Sequence, residues 1–142
     1  MFRRLRALIS LGSLDEIIVE AIKESEKELL DLLRSQLSHG EKGDGQMPSY
    51  SNERYAEYKQ KIGSQAPKGI VDLKLTGAFQ DKLRLIMTKT GARIRSYDKK
   101  RSELLNHYGK EIYELNAENQ TFYLNQVLFP IIFKKVKNVM YK

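Results

Sequence analysis

Apolar residues recur at Leu14, Ile17, Ile18, Ala21, Ile22, Leu29, Leu32, Leu33 and Leu37. Most steps are three or four residues, which places them on one face of a helix. Ser13-Leu-Asp-Glu16 ahead of the stripe reads as a capping box. Asp15, Glu16, Glu20, Glu24 and Glu28 fall on the other face, with acid early, where the helix dipole favours it. His39-Gly40 marks the end, so the pattern predicts one helix from Ser13 to about His39. The periodicity then stops. Gly40 to Pro48 is loop by composition. Ser51 to Ile62 reads as a short helix with Tyr55, Tyr58 and Ile62 on one side and Gly63 closing it. Ser64 to Gly69, containing Pro67, is a second loop. Residues 40–69 thus form a long excursion around one helix, and loops of that length usually carry function.

Leu73 and Leu75 alternate with polar residues until Thr76-Gly77. Residues 78–87 fit two periods: Phe79, Leu83 and Ile86 suit a helix, whereas Leu83, Leu85 and Met87 suit a strand. We read a short helical turn, then a strand from Leu83 to Lys89. Thr88-Lys-Thr-Gly91 makes a hairpin turn and Ala92 to Tyr97 the return strand. Leu104, Leu105, Tyr108, Ile112 and Leu115 are helically spaced, but Gly109 leaves open one helix or two short segments. Asn116 to Gln120 is a break. The last segment, Thr121 to Tyr141, has a broad apolar face, and Pro130 either kinks that helix or starts it. The fold class is α+β: an N-terminal helix, a long loop with a short helix, a β-hairpin or small antiparallel sheet, and a C-terminal helix. A basic arm over residues 1–12 precedes a single domain over 13–142. The apolar stretch Ala7 to Leu11 behind that arm is too short for a secretory leader.

Composition narrows the chemistry. The length of 142 residues suits one domain. With no cysteine, disulfides, thiolate metal sites and thiol catalysis are excluded. Two distant histidines, His39 and His107, make an imidazole metal site or triad improbable. The carboxylate pairs Asp15/Glu16, Glu24/Glu28 and Glu111/Glu114 sit among exposed polar positions, without the burial that acid–base work needs. Gly40, Gly43 and Gly45 lack the strand-then-helix setting of a phosphate loop. Glu41 and Asp44 suit a hard cation, but not at EF-hand spacing. The expectation is a protein that is not an enzyme and takes no cofactor. No apolar run reaches the ~20 residues that span a bilayer.

The net charge of +7 is unevenly placed. Lys82 to Arg101 carries eight basic residues against Asp98 alone, while the first helix is net negative. Arg93 and Arg95, two apart on a strand, point the same way, and Arg84 joins them from the facing strand. With Lys99, Lys100 and Arg101 they form a basic surface. Three readings stay open for it: a solvated face, a contact with the acidic helix of another copy, or a contact with phosphates. Tyr50, Tyr55 and Tyr58 are either a recognition patch or a staple that holds the loop to the domain.

Residues 49–86 carry a resemblance. A Ser/Tyr-rich start, Tyr55 with Lys59 and Lys61, a loop, then Asp72-Leu-Lys-Leu-Thr-Gly-Ala-Phe79 resembles the tail-completion or neck proteins of tailed phages. These are of the kind found in HK97 and of the phage Mu virion-morphogenesis type. The motif itself spans Asp72 to Phe79, with Leu75, Thr76, Gly77 and Phe79 as the family-like turn. The resemblance implies that the turn leads into a short helix, a β-hairpin and a closing helix. It implies a structural virion protein, made in the host cytoplasm, forming a homo-oligomeric ring between head-connector and tail-tube proteins, with DNA passing without sequence-specific reading. The chain departs from that family at Leu75, where Arg is common, and at 116–120, where a Pro-rich stretch is usual. A small basic nucleic-acid-binding module is the alternative.

Overall fold

The computed structural model of the chain describes residues 13–74, 77–88 and 91–141. The basic arm at 1–12, the Ser13 side chain expected to cap the first helix, Leu75 and Thr76 of the family-like turn, and the hairpin tip at 89–90 lie outside the described residues.

The first apolar stripe forms two helices rather than one, α1 (Ser13–Glu24) and α2 (Glu26–Ser38). The bend is at Ser25, where ψ rises to 14°. Backbone bonding runs through it: the Ser25 N–H donates to Ala21 O at 3.1 Å, and the Leu29 N–H to Ser25 O at 2.9 Å. The cause is the Ser25 hydroxyl, which donates back to Ala21 O at 2.9 Å, a contact that bends helices. That hydroxyl is also 2.7 Å from the Tyr123 hydroxyl of the last helix, and Ser25 is fully buried. Tyr123→Phe is expected to lower stability by about 1 kcal/mol, the usual worth of one buried hydrogen bond. Urea unfolding of Tyr123→Phe, Ser25→Ala and the double variant checks it. The double variant should cost less than the sum of the two.

Leu29, Leu30, Leu33 and Leu37 of α2 form the centre of a single core with Met47, Val71, Phe79, Leu83, Ile112, Leu115, Tyr123 and Leu128. Against it lies the hairpin, β3 (Leu83–Thr88) paired antiparallel with β4 (Gly91–Ser96). It follows the helical turn α4 (Ala78–Asp81), the order expected from the two periods in 78–87. Register sets the faces. Leu83 opposes Ser96 and Leu85 opposes Ile94 on the inner side, while Arg84 opposes Arg95 and Ile86 opposes Arg93 on the outer side.

The excursion contains a two-residue hairpin, β1 (Glu41–Lys42) with β2 (Gly45–Gln46), and α3 (Glu53–Lys61). Asn52 caps α3, its side-chain oxygen accepting from the N–H groups of Arg54 and Tyr55 at 2.9 and 3.2 Å. Tyr58 and Ile62 are about half exposed, at 47% and 49%, and Ala56 and Lys59 are the buried pair.

Gly109, at φ +88°, separates α5 (Arg101–Tyr108) from a 3-10 turn (Lys110–Tyr113), which selects the two-segment alternative. The break expected at 116–120 is instead a helix start. The Asn116 side chain accepts from the Asn119 N–H at 2.9 Å and caps α6 (Ala117–Phe122). A π-helical stretch (Tyr123–Leu128) continues into α7 (Phe129–Met140). Pro130 lacks an N–H, and its ring crowds the carbonyl four residues back. The wider turns just before it accommodate both, so the helix runs on. The result is a mixed α+β fold with two small antiparallel two-stranded sheets. Among the described residues no helix is long and apolar enough to cross a membrane.

Candidate functional site

The segment that leads into α3 is tied to the segment that leaves the second loop. Ser49 bridges Ile70, the Tyr50 N–H donates to Gly69 O at 2.7 Å, and the Val71 N–H donates to Pro48 O at 3.0 Å. This draws Asp72 beneath α3, where the Lys59 ammonium meets its carboxylate at 2.8 Å. Both side chains are 3% exposed. The ammonium also donates to Lys74 O at 3.1 Å. The carboxylate accepts from Ser64 Oγ at 2.8 Å, the Lys74 N–H at 3.1 Å and the Tyr50 hydroxyl at 3.3 Å. Burial alone would raise the Asp72 carboxyl. Hydrogen bonds from Lys59, Ser64 and the Lys74 N–H, with the Lys59 charge, outweigh it and hold the group below its ordinary range. Burial pushes the Tyr50 phenol well up, and the Asp72 charge adds to this. The pair is a satisfied clamp: each side chain has hydrogen-bond partners besides the other.

Above the clamp lies a cleft of about 520 Å³. Tyr50, Tyr55, Phe79, Leu104 and Tyr108 form its apolar walls; Lys74, Lys99 and Lys100 line it as well. Parts of three predictions of the sequence therefore meet here: Tyr50 and Tyr55 of the loop tyrosines, Gly77 and Phe79 of the family-like turn, and Lys99 and Lys100 of the basic surface. Tyr50 and Tyr55 pack edge to face at 4.9 Å. Tyr58 stays outside the cleft, 6.1 Å from the Tyr55 ring. Tyr50 thus serves as a staple, through Asp72, and as a cleft wall. Gly77 takes φ +80° ahead of α4, a backbone state that glycine adopts freely. Phe79 is 5% exposed and stacks on Tyr113 at 6.0 Å.

The basic surface divides in two. Arg84, Arg93 and Arg95 are exposed on the outer hairpin face. Arg93, Arg95 and Arg101 border a second, open groove of about 670 Å³ between β4 and α5. Lys99 and Lys100 belong to the tyrosine cleft instead. Arg84 stands directly across from Arg95, an unfavourable like-charge pair in isolation. Its guanidinium donates to Asp81 O and Leu83 O, both at 2.8 Å. Lys82 pairs with Asp98 at 3.7 Å. Among the described residues no salt bridge neutralises Arg93, Arg95, Lys99, Lys100 or Arg101.

No protein-family model, curated protein or solved structure matches this chain. The site is therefore read from its own residues. Glu41 and Asp44 are each engaged elsewhere: the Glu41 carboxylate accepts from the Asn116 amide at 2.6 Å, and Asp44 holds Lys42 at 2.6 Å. His39 ends α2 with Nδ1 2.7 Å from Ser35 O, and His107 lies edge-on to Tyr108 at 4.5 Å. Among the described residues no group of three His, Asp or Glu side chains is placed to hold a metal.

The buried Lys59–Asp72 pair was not anticipated. The signals for it were Asp72 inside the apolar run Ile70-Val71-Asp72-Leu73, and Lys59 one turn after Tyr55 on the helix side that packs.

Proposed function

We propose that this chain is a structural virion protein of a tailed phage or prophage: a ring-forming neck or tail-completion adaptor between head connector and tail. In this reading it is not an enzyme and uses no cofactor. It works in the virion after assembly in the host cytoplasm. Its partners are copies of itself, head-connector and tail-tube proteins, and passing DNA held without sequence-specific contacts.

One observation carries the reading. The order α1–α2, excursion with α3, Gly77 turn, α4 and β3–β4 hairpin agrees with the order that the resemblance implies; α5 and a 3-10 turn then stand between the hairpin and the closing α6–α7 helix. The Lys59–Asp72 clamp supports it further, because it holds a long loop as a fixed surface of the kind an adaptor offers its neighbours. The test is deletion of the gene from its host element, followed by mass spectrometry and electron microscopy of the particles. The expected result is the chain in wild-type particles, with heads and tails left unjoined in the deletion. Normal, infectious particles without the chain would overturn the proposal.

The like-charged Arg84–Arg95 pair favours one second reading, a small nucleic-acid-binding module. It predicts duplex DNA binding that weakens steeply with salt. No gel shift at low salt removes it.

A further inference from the structure

The outer faces of the two principal layers carry opposite charge. α2 lies against the inner side of the hairpin: Leu29 and Leu33 share the core with Leu83, and the Glu26 carboxylate reaches the Leu85 N–H at 3.4 Å. The exposed side of α2 and the exposed side of the hairpin therefore point away from each other. On the helical side, Glu16, Glu20, Glu24 and Glu28 follow at steps of four residues across the Ser25 bend, all exposed. Spacing of four keeps side chains on one side of a helix. Lys135 meets Glu20 and Glu24 at 3.5 and 2.6 Å, which leaves Glu16 and Glu28 without a salt bridge among the described residues. On the sheet side stand Arg84, Arg93 and Arg95, with half-buried Ile86 between them.

We infer that the outer hairpin face of one copy docks on the acidic α1–α2 face of the next. Opposite charges on two different surfaces of one molecule make a head-to-tail, heterologous contact. Such contacts close into rings or run on as filaments. A facing carboxylate row removes the Arg84–Arg95 repulsion, which a solvated face leaves in place. The same pairing fixes register and rejects the like-charged face-to-face arrangement. For its setting the inference rests on the ring-adaptor reading; its test does not.

Light scattering on the purified full chain at ~0.05 M and ~0.5 M salt reads the contact, because salt shortens the screening length over this range. The wild type is expected to exceed the monomer mass at low salt, with the excess falling at high salt. Arg93→Glu/Arg95→Glu leaves both faces acidic, and Glu16→Lys/Glu28→Lys weakens the acidic face. Each variant alone is expected to lose at least half of the excess mass. An equimolar mixture is expected to regain it. All four positions are exposed, and circular dichroism of each variant checks that it is folded. A wild type that stays monomeric at low salt overturns the inference, as does association that both reversals leave unchanged. So does a mixture that regains nothing, or association that persists when duplex DNA saturates the hairpin. Salt-sensitive association by a chain absent from particles would sink the virion reading alone. A virion chain whose association ignores the reversals would sink the docking inference alone.

Discussion

Lys59→Met is expected to destabilise the fold by about 3–5 kcal/mol, the usual result of removing one partner from a buried ion pair. The loss comes from what remains. Asp72, 2% exposed, would keep its charge or take up a proton with no cation beside it. Asp72→Asn should cost a similar amount, because it strands the Lys59 ammonium under α3. The double variant Lys59→Met/Asp72→Asn should cost clearly less than the two summed, since neither member is then an unpaired charge. Urea unfolding at neutral pH measures all three. A loss under ~1 kcal/mol for both single changes would show that the pair is not a clamp. Acid provides a second readout. The folded Asp72 carboxyl lies below its ordinary value of 3.8. Its stabilisation is therefore complete above that value and is lost as pH falls through the folded value. The wild type should weaken on that limb, and Asp72→Asn should show a shallower dependence there.

Gly40→Ala is the other large effect, expected at about 2–5 kcal/mol from two additive causes. Gly40 ends α2 at φ +81°, a conformation that costs an L-residue roughly 1–2 kcal/mol. A Cβ there would sit 2.7 Å from Ile70 Cγ2 and 3.0 Å from the Ala66 Cβ, and overpacking of that kind adds about 1–3 kcal/mol. The Gly40 carbonyl also accepts from the Met47 N–H at 2.7 Å, so the strain reaches the root of the excursion. Gly63→Ala is the control. Its φ is +90°, but a Cβ meets nothing within 4 Å, so only the conformational cost applies. Thermal or urea unfolding should separate the two variants by at least 1 kcal/mol. Equal losses would refute the packing argument.

The α+β order was legible wherever one period dominated. Leu29, Leu33 and Leu37 marked the buried side of α2, and alternation after Leu83 marked the strand. Gly109 and Gly63 marked ends that the structure shows. What escaped was decided by polar side chains in the interior. Ser25 bends a stripe whose apolar spacing runs straight through it, because its hydroxyl bonds back to Ala21 O, which apolar spacing does not mark. Asn116 starts a helix inside a stretch whose composition resembles a turn. Ala56 and Lys59 face inward on α3, and Asp72 beneath gives the lysine its partner, a pairing that apolar spacing does not mark. The candidate site was legible in its parts and not in its assembly. Tyr50, Tyr55, Gly77, Phe79, Lys99 and Lys100 were each identified, yet long-range pairing such as the tie between Ser49 and Ile70 is what brings separate segments to one cleft.

The Ser25–Tyr123 hydrogen bond also orders events during synthesis. Its two hydroxyls are 98 residues apart in the chain. A growing chain leaves the ribosome with α1 and α2 complete, but without the helix that covers Ser25 and Ala21. Until residue 123 and its neighbours emerge, a leucine-rich stripe and an unmatched hydroxyl face solvent or a chaperone. Contacts of this separation close late, and exposed apolar surface invites premature association. The Ser25–Tyr123 contact is thus among the last to close, although Ser25 is among the first residues to be made.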